Sequence, residues 1–253
     1  MAGWSIGHEA EPTEHGPRYG RLVVRRLVLW DIDGTLVRAG DLGAAVFDRA
    51  LLAVLGRAPN ERIRMSGKTD PQIVHEYLDL MEVDEPGSVP EILHRLEWEL
   101  AADRHRLAAE GSSCDGAAAV LERLDADDRV AQSVLTGNVA GNAVVKLAAF
   151  GLERWIDVEA GAFGSDDADR RALVGVALAR QREMRGRDVA AQDVWVVGDT
   201  PNDLACARAG GTRCLLVATG RYSVDELCRA GADAVLADLT DTERVVEILT
   251  AGL

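Results

Sequence analysis

The stretch Leu27-Val28-Leu29-Trp30-Asp31-Ile32-Asp33-Gly34-Thr35-Leu36 sets a short apolar run directly before two carboxylates and a glycine. A run of this length, bounded by acidic residues and Gly, reads as a buried strand leading into a turn. Two carboxylates two residues apart at a strand end repel each other unless a cation sits between them, so the pair suggests a bound divalent metal. Gly34 lets the chain turn there. The plain alternative is two acids and a glycine in a surface turn.

Four later segments read as similar strands, at 130–138 (VAQSVLTGN), 156–164, 193–199 and 213–220, with 232–239 a possible sixth. Apolar side chains recur at helical spacing over 115–126, 139–150, 169–183, 202–209 and 241–250, and Gly151 and Gly210 are plausible stops. Strand-helix alternation predicts a parallel sheet, hence an α/β, Rossmann-like three-layer core. Roughly 90 residues separate the first strand from 130–138, far more than an ordinary crossover, so this stretch should be a structured insertion. Residues 41–56, 71–81 and 89–107 each carry an apolar stripe, in the last through Leu93, Leu96, Leu100 and Leu107, which predicts a helical cap. The expected division is a flexible tail at 1–20, a catalytic core at 21–38 and 115–253, and the cap at 39–114. No repeat or low-complexity tract is present.

The 253 residues are 47% hydrophobic and 28% charged, sufficient for a full core without disulfide or metal staples. No apolar run approaches the length of a membrane span. Lys and Arg number 28 against 42 Asp and Glu, a net charge of −14 that repels phosphate backbones and anionic lipids. Neither nucleic acid nor membrane is an expected partner. An anionic substrate would need a metal, helix N-termini or a few chosen cations to make its site locally positive. Cys114, Cys206, Cys214 and Cys228 show no metal or redox spacing and read as packing residues of a reducing compartment. With no apolar signal core in residues 1–26, the expected location is the cytoplasm. Lys68 and Lys146 are the only lysines, so a motif lysine can be replaced here by arginine, although the two differ in geometry and hydration.

Two further strand ends carry chemistry. Val196-Val197-Gly198-Asp199-Thr200-Pro201-Asn202-Asp203 ends an apolar run in carboxylates. In an open parallel sheet ligands bind at the carboxyl ends of strands where the strand order reverses, so Asp31, Asp33, Asp199 and Asp203 can converge on one magnesium ion. By itself the cluster reads equally well as a turn and a helix cap. Leu135-Thr136-Gly137-Asn138 ends another strand and opens a helix, where a hydroxyl and backbone N–H groups suit a phosphate oxygen. By itself this is an ordinary helix cap.

In this order the three motifs resemble the haloacid dehalogenase (HAD)-like superfamily, over about residues 27–240. The insertion directly after DIDGTL is similar to the helical cap of phosphoglycolate-phosphatase-like members. The resemblance implies that Asp31 is the nucleophile that forms an aspartyl-phosphate and that Asp33 is the acid and base. It implies that Thr136, with the Gly137 and Asn138 amides, holds a phosphoryl oxygen. Magnesium would be held by the Asp31 side chain, the Asp33 carbonyl and Asp199, with Asp203 behind them. The second carboxylate, Asp33, disfavours halide displacement.

The family's lysine, usually followed by Pro shortly before the GD strand, is missing. Arg170 occupies its place and is preferred to Arg171, since Arg170 and Leu173 share a helix face toward the sheet. Lys146 should sit roughly 12 Å from the start of its helix at 1.5 Å per residue, in a solvent-facing or structural role. Ser66-Gly67-Lys68-Thr69-Asp70 ends in GKT but lacks the earlier glycine and preceding strand of a P-loop. Gly67, Lys68, Thr69 and Asp70 instead resemble a substrate-facing cap loop, with Thr69 also placed to cap the next helix and Asp70 and Pro71 at its first turn. Lys68 is open to three readings: a substrate-anion contact, a Schiff-base lysine, or a surface lysine.

The expected activity is a magnesium-dependent phosphatase acting on a small phosphorylated metabolite. The alternatives are a phosphonatase using Lys68, a sugar phosphomutase, and a non-catalytic ligand-binding protein. Substrate identity and oligomeric state are not encoded legibly.

Overall fold

The computed structural model describes residues 24–253. The tail expected over 1–20 lies outside the described residues. The strands in chain order are β1 (Arg26–Trp30), β2 (Val37–Arg38), β3 (Ser112–Ser113), β4 (Val130–Leu135), β5 (Asp157–Ala162), β6 (Val194–Gly198), β7 (Arg213–Val217) and β8 (Ala234–Leu236). Six of them form an all-parallel sheet in the order β5-β4-β1-β6-β7-β8. The central strand β1 is buried along its whole length. The chain builds outward from β1 through β4 to β5, then returns to the other side of β1 with β6. That reversal opens a crevice beyond the carboxyl ends of β4, β1 and β6.

Four helices lie between β2 and β3: α1 (Leu42–Leu55), α2 (Asp70–Leu80), α3 (Val89–Ala102) and α4 (Arg104–Glu110). The antiparallel pair β2–β3 is their stem, where the chain leaves the core and returns. These helices share a hydrophobic cluster of their own, which includes Phe47, Leu51, Tyr77, Ile92, Leu96, Leu100 and Leu107. The single helix expected over 89–107 is broken at Asp103. Asp is a poor residue for a helix interior, and here Arg49 holds its carboxylate at 2.7 Å while also binding Glu99. The buried stripe of α3 runs through Ile92, Leu96 and Leu100, with Leu93 only partly covered.

The remaining helices are α5 (Ala117–Asp125), α6 (Ala140–Ala149), α7 (Leu173–Arg185), α8 (Pro201–Ala209), α9 (Val224–Ala230) and α10 (Thr242–Thr250). Side chains alternate across β1, and two core layers follow from that alternation. Val28 and Trp30 pack with α5, α6 and α10, whereas Leu27 and Leu29 pack with α7, α8 and α9. Helix α9 escaped the periodicity reading because it has only seven residues; its signal is the capping box of Ser223 and Glu226. Gly210 does end α8, but at φ −82°; it is a glycine because a Cβ would lie 2.3 Å from Val174.

The helical insertion is tied to the core by polar contacts, three of them at the start of α6. The Asp70 N–H donates to the Gly137 carbonyl at 2.7 Å, and its carboxylate accepts from the Val139 N–H at 2.8 Å. Glu97 accepts from the Gly141 N–H at 2.8 Å. Two carboxylates of the insertion thus satisfy helix-start amides where the dipole favours negative charge. Asn202 Nδ2 donates to the Gly67 carbonyl at 2.9 Å, and Thr69 Oγ1 donates to the Ala168 carbonyl at 2.7 Å. Gly137 permits this closeness, since a Cβ there would lie 2.0 Å from the Lys68 carbonyl oxygen.

Burial pushes the Asp70 carboxyl up to about 6, against the pull of Lys146 and of the Val139 hydrogen bond. The unfolded chain ionises near the ordinary Asp value of about 4, so the folded protein binds the extra proton between about pH 4 and 6. The contribution of this residue to stability is therefore present in acid and lost as pH rises through about 6. In Asp70→Asn the side-chain oxygen can still accept from Val139 while the buried charge is gone. The variant is expected to exceed wild type by about 1–3 kcal/mol at pH 7, with the gap closing by pH 4, in urea unfolding at both pH values. A variant less stable than wild type at pH 7 but equal to it at pH 4 would show instead that the charge itself holds the insertion down.

Candidate active site

Adjacent strands deliver the acidic residues to one place. Asp31 directly follows β1 and Asp199 directly follows β6, and the Asp31 N–H donates to the Val197 carbonyl at 2.9 Å. Asp203 lies in the first turn of α8, where Thr200 and Asp203 cap each other. All three carboxylates are buried, and one oxygen from each lies within 4.8 Å of the others. Arg170, in a short turn of 3-10 helix before α7, enters the same space and is also buried. Its Nη2 is 2.9 Å from Asp31 Oδ1 and 2.5 Å from Asp203 Oδ1. Arg171 points away, exposed and paired with Asp169.

The electrostatics of this cluster are unbalanced. Burial, reinforced by the charges of Asp203 and Asp31, pushes the Asp199 carboxyl up to about 9. Burial likewise raises Asp31 to about 6, although Arg170 pulls the other way. Burial opposes the charge on Arg170, but Asp203 and Asp31 more than offset it and keep the guanidinium protonated. Three buried carboxyl groups therefore share one buried guanidinium. Asp199 Oδ1 is buried without a hydrogen-bond partner. Gly34, at φ +81°, leaves room for that carboxylate, since a Cβ there would meet Asp199 Oδ2 at 2.6 Å. A cluster of hard oxygen donors with one oxygen unsatisfied and an excess of negative charge fits a divalent cation such as magnesium.

Thr136 directly follows β4 and is buried beside this cluster. Its Oγ1 accepts from Asn138 Nδ2 at 2.7 Å. The helix start expected to offer free amides for phosphate is largely occupied. The amides of Val139, Ala140 and Gly141 donate to Asp70, Ser165 and Glu97 respectively. The candidate anion cradle narrows to the Thr136–Asn138 loop, with Gly137 close to both Arg170 and the Lys68 carbonyl.

Of the two roles expected for Lys146, solvent-facing or structural, burial excludes the first. The Lys146 Nζ lies 2.7 and 2.6 Å from the two oxygens of Asp33 and 2.6 Å from Asn138 Oδ1. The expectation counted only the rise along the helix. Side chains of an α-helix lean toward its N-terminus, and the four-carbon stem of lysine carries its ammonium back along the helix to where the Asn138 and Asp33 side chains meet it. The readable signal is Asn138, Asn142 and Lys146 at intervals of four, which puts three polar groups on one helix face. Asn142 is buried as well.

A cavity of about 360 Å³ lies between the strand ends and the insertion. Asp31, Asp33, Asp199, Arg170, Thr136 and Lys146 line it from the core, while Val46, Phe47, Met65 and Ile73 line it from the insertion. Gly67 and Lys68 reach its wall, and the Lys68 ammonium is paired with Glu76. Thr69 does not reach it. It is fully buried, its hydroxyl bound to the Ala168 carbonyl and accepting from the Gln72 N–H, so it caps α2 and fixes the loop instead of facing a substrate. Asp70, the last residue of the expected cap loop, also lines the cavity, as does Gly220, which the sequence reading left unassigned. No helix among the described residues is long and apolar enough to cross a membrane.

Residues 170–242 match the HAD-hydrolase-like family model, a segment that holds Arg170, Asp199 and Asp203. No curated protein matches the chain by sequence. Several solved structures share its fold. A hydrolase from Pseudomonas syringae is 20% identical with a TM-score of 0.66, covering 89% of this chain and 99% of its own. A predicted phosphoglycolate phosphatase from Haemophilus somnus is 16% identical with a TM-score of 0.64, covering 89% and 100%. CbbY from Rhodobacter sphaeroides, in complex with xylulose 1,5-bisphosphate, is 21% identical with a TM-score of 0.67, covering 86% and 96%. Over residues 170–242 the chain is thus similar to HAD-like hydrolases, and its fold is shared with solved structures that include a hydrolase and a predicted phosphoglycolate phosphatase.

Proposed function

We propose that the protein is a magnesium-dependent phosphatase that hydrolyses a small phosphate monoester through a phosphorylated Asp31. The observation that carries this reading is the convergence of Asp31, Asp199, Asp203 and Arg170 at adjacent strand ends, beneath a cavity also lined by Asp33 and Thr136. The cavity suits a small molecule, and the neighbour that holds a sugar bisphosphate supports a phosphorylated metabolite as substrate.

In the first step an Asp31 oxygen attacks phosphorus in line, its bond to phosphorus forming as the bond to the substrate oxygen breaks. Asp33 gives its proton to the departing alkoxide. In the second step Asp33 takes a proton from water as the water oxygen bonds to phosphorus, and the Asp31 carboxylate leaves. Arg170 orients Asp31 and offsets its charge, and Thr136 with the 137–138 amides would hold the phosphoryl oxygens. Asp31, the Asp33 carbonyl and Asp199, with Asp203 behind, would hold magnesium, whose charge offsets nucleophile and phosphate together.

The insertion would act as a cap that excludes water from the transfer. The four unpaired cysteines fit a reducing compartment, hence the cytoplasm. A phosphonatase route through Lys68 finds no support, because its ammonium is engaged by Glu76.

Phosphate release from p-nitrophenyl phosphate and a panel of metabolite monoesters tests the reading. Wild type should turn over several esters with magnesium and lose that activity in EDTA. Asp31→Asn, an isosteric change, should lower kcat by more than about 10³-fold while the protein remains folded. Arg170→Ala should lower it by about 10²-fold. Equal turnover by Asp31→Asn would overturn the mechanism, and a requirement for an added sugar bisphosphate would place the protein among phosphomutases.

A further inference from the structure

Asp33 is the least constrained carboxylate of the site by burial. Its side chain is 45% exposed, whereas that of Lys146 is 8% exposed. A carboxylate at a cavity wall with that much access to water can rotate freely unless something fixes it. Here Lys146 Nζ contacts both Asp33 oxygens, and Asn138 Nδ2 donates to Oδ2 at 2.7 Å. Lys146 also donates to Asn138 Oδ1, so the three side chains form a closed ring of hydrogen bonds. Thr136 Oγ1 accepts from Asn138 and ties the ring to the end of β4.

Burying an ammonium is costly, and a buried ion pair is often no more stabilising than apolar residues of the same volume. Stability thus gives a poor reason for a lysine here. Geometry gives a better one: the pair sets where the Asp33 oxygens point.

We infer that Lys146 is a positioning residue that, through Asn138, holds the Asp33 carboxylate in the orientation from which it accepts a proton from the water attacking phosphorus. The inference rests on the phosphatase reading above. The ion pair acts on the carboxylate form, which is the form needed when the phosphorylated Asp31 is hydrolysed. The proton of that water passes to Asp33, its oxygen bonds to phosphorus, and the Asp31–phosphorus bond breaks to release phosphate.

p-Nitrophenyl phosphate separates this role from general damage. Its leaving group departs with little help from an acid, so formation of the phosphorylated enzyme should not need Asp33, whereas hydrolysis should. In Lys146→Met, kcat should fall about 10–100-fold while kcat/KM stays within about threefold of wild type, so KM falls in proportion. A burst of p-nitrophenolate near one per site should precede the slow steady state. Asp33→Asn should show the same split, and the double variant should lose no more than Asp33→Asn alone. Lys146→Gln serves as a second variant if the methionine disturbs folding, which melting curves would reveal.

A parallel fall of kcat and kcat/KM without a burst, unchanged kinetics, or additive losses in the double variant would overturn the inference. If wild type releases no phosphate from this ester or from the metabolite panel, the phosphatase reading fails first and the inference with it. Turnover by wild type with additive losses overturns the inference alone.

Discussion

Like-charge crowding at the carboxyl edge of the sheet is the constraint on which the site depends. Asp31, Asp199 and Asp203 are buried within reach of one another, in a chain whose net charge is already −14. Arg170 neutralises part of this charge by bridging Asp31 and Asp203. It leaves Asp199 with an unpartnered oxygen. Such an arrangement is unfavourable for an empty fold, and the cation and phosphoryl group proposed above would offset it. The surrounding sheet, apolar on both faces, offers the packing that can offset this cost.

The same physics recurs where the insertion meets the core. Asp70 and Glu97 take up amides at the start of α6, so the insertion rests on the helix end that follows the Thr136–Asn138 loop. Docking and site geometry are therefore coupled through a few residues. Gly137 contacts the loop at Lys68, Asn138 contacts Asp33, and Asp70 bonds both Gly137 and Val139. A shift of the insertion would move the residues proposed to hold the phosphoryl group.

Much of this was legible from residues alone because a buried apolar strand that ends in paired acids places charge where only a binding site makes it favourable. Five strands of the parallel sheet, with the sixth as a possibility, and Asp31, Asp199 and Arg170 were read by position relative to a strand or by a place in an ordered set of motifs. Helix α9 was too short for periodicity, and the break at Asp103 was set by a partner, Arg49, some 50 residues away in sequence. Lys146 was misplaced because helical rise was counted without side-chain direction. The role of Asp70 was hidden for a different reason: a carboxylate in the first turn of α2 reads as a cap of its own helix, yet its oxygen serves α6. Contacts between separate segments have no local signature.

The most direct test of the account is the covalent state of Asp31. Enzyme mixed with p-nitrophenyl phosphate and magnesium, quenched rapidly in acid and digested, should yield the peptide containing Asp31 with the added mass of one phosphoryl group, and that mass should be absent from Asp31→Asn. Active enzyme whose Asp31 peptide stays unmodified, or a phosphoryl group found on another residue, would contradict it.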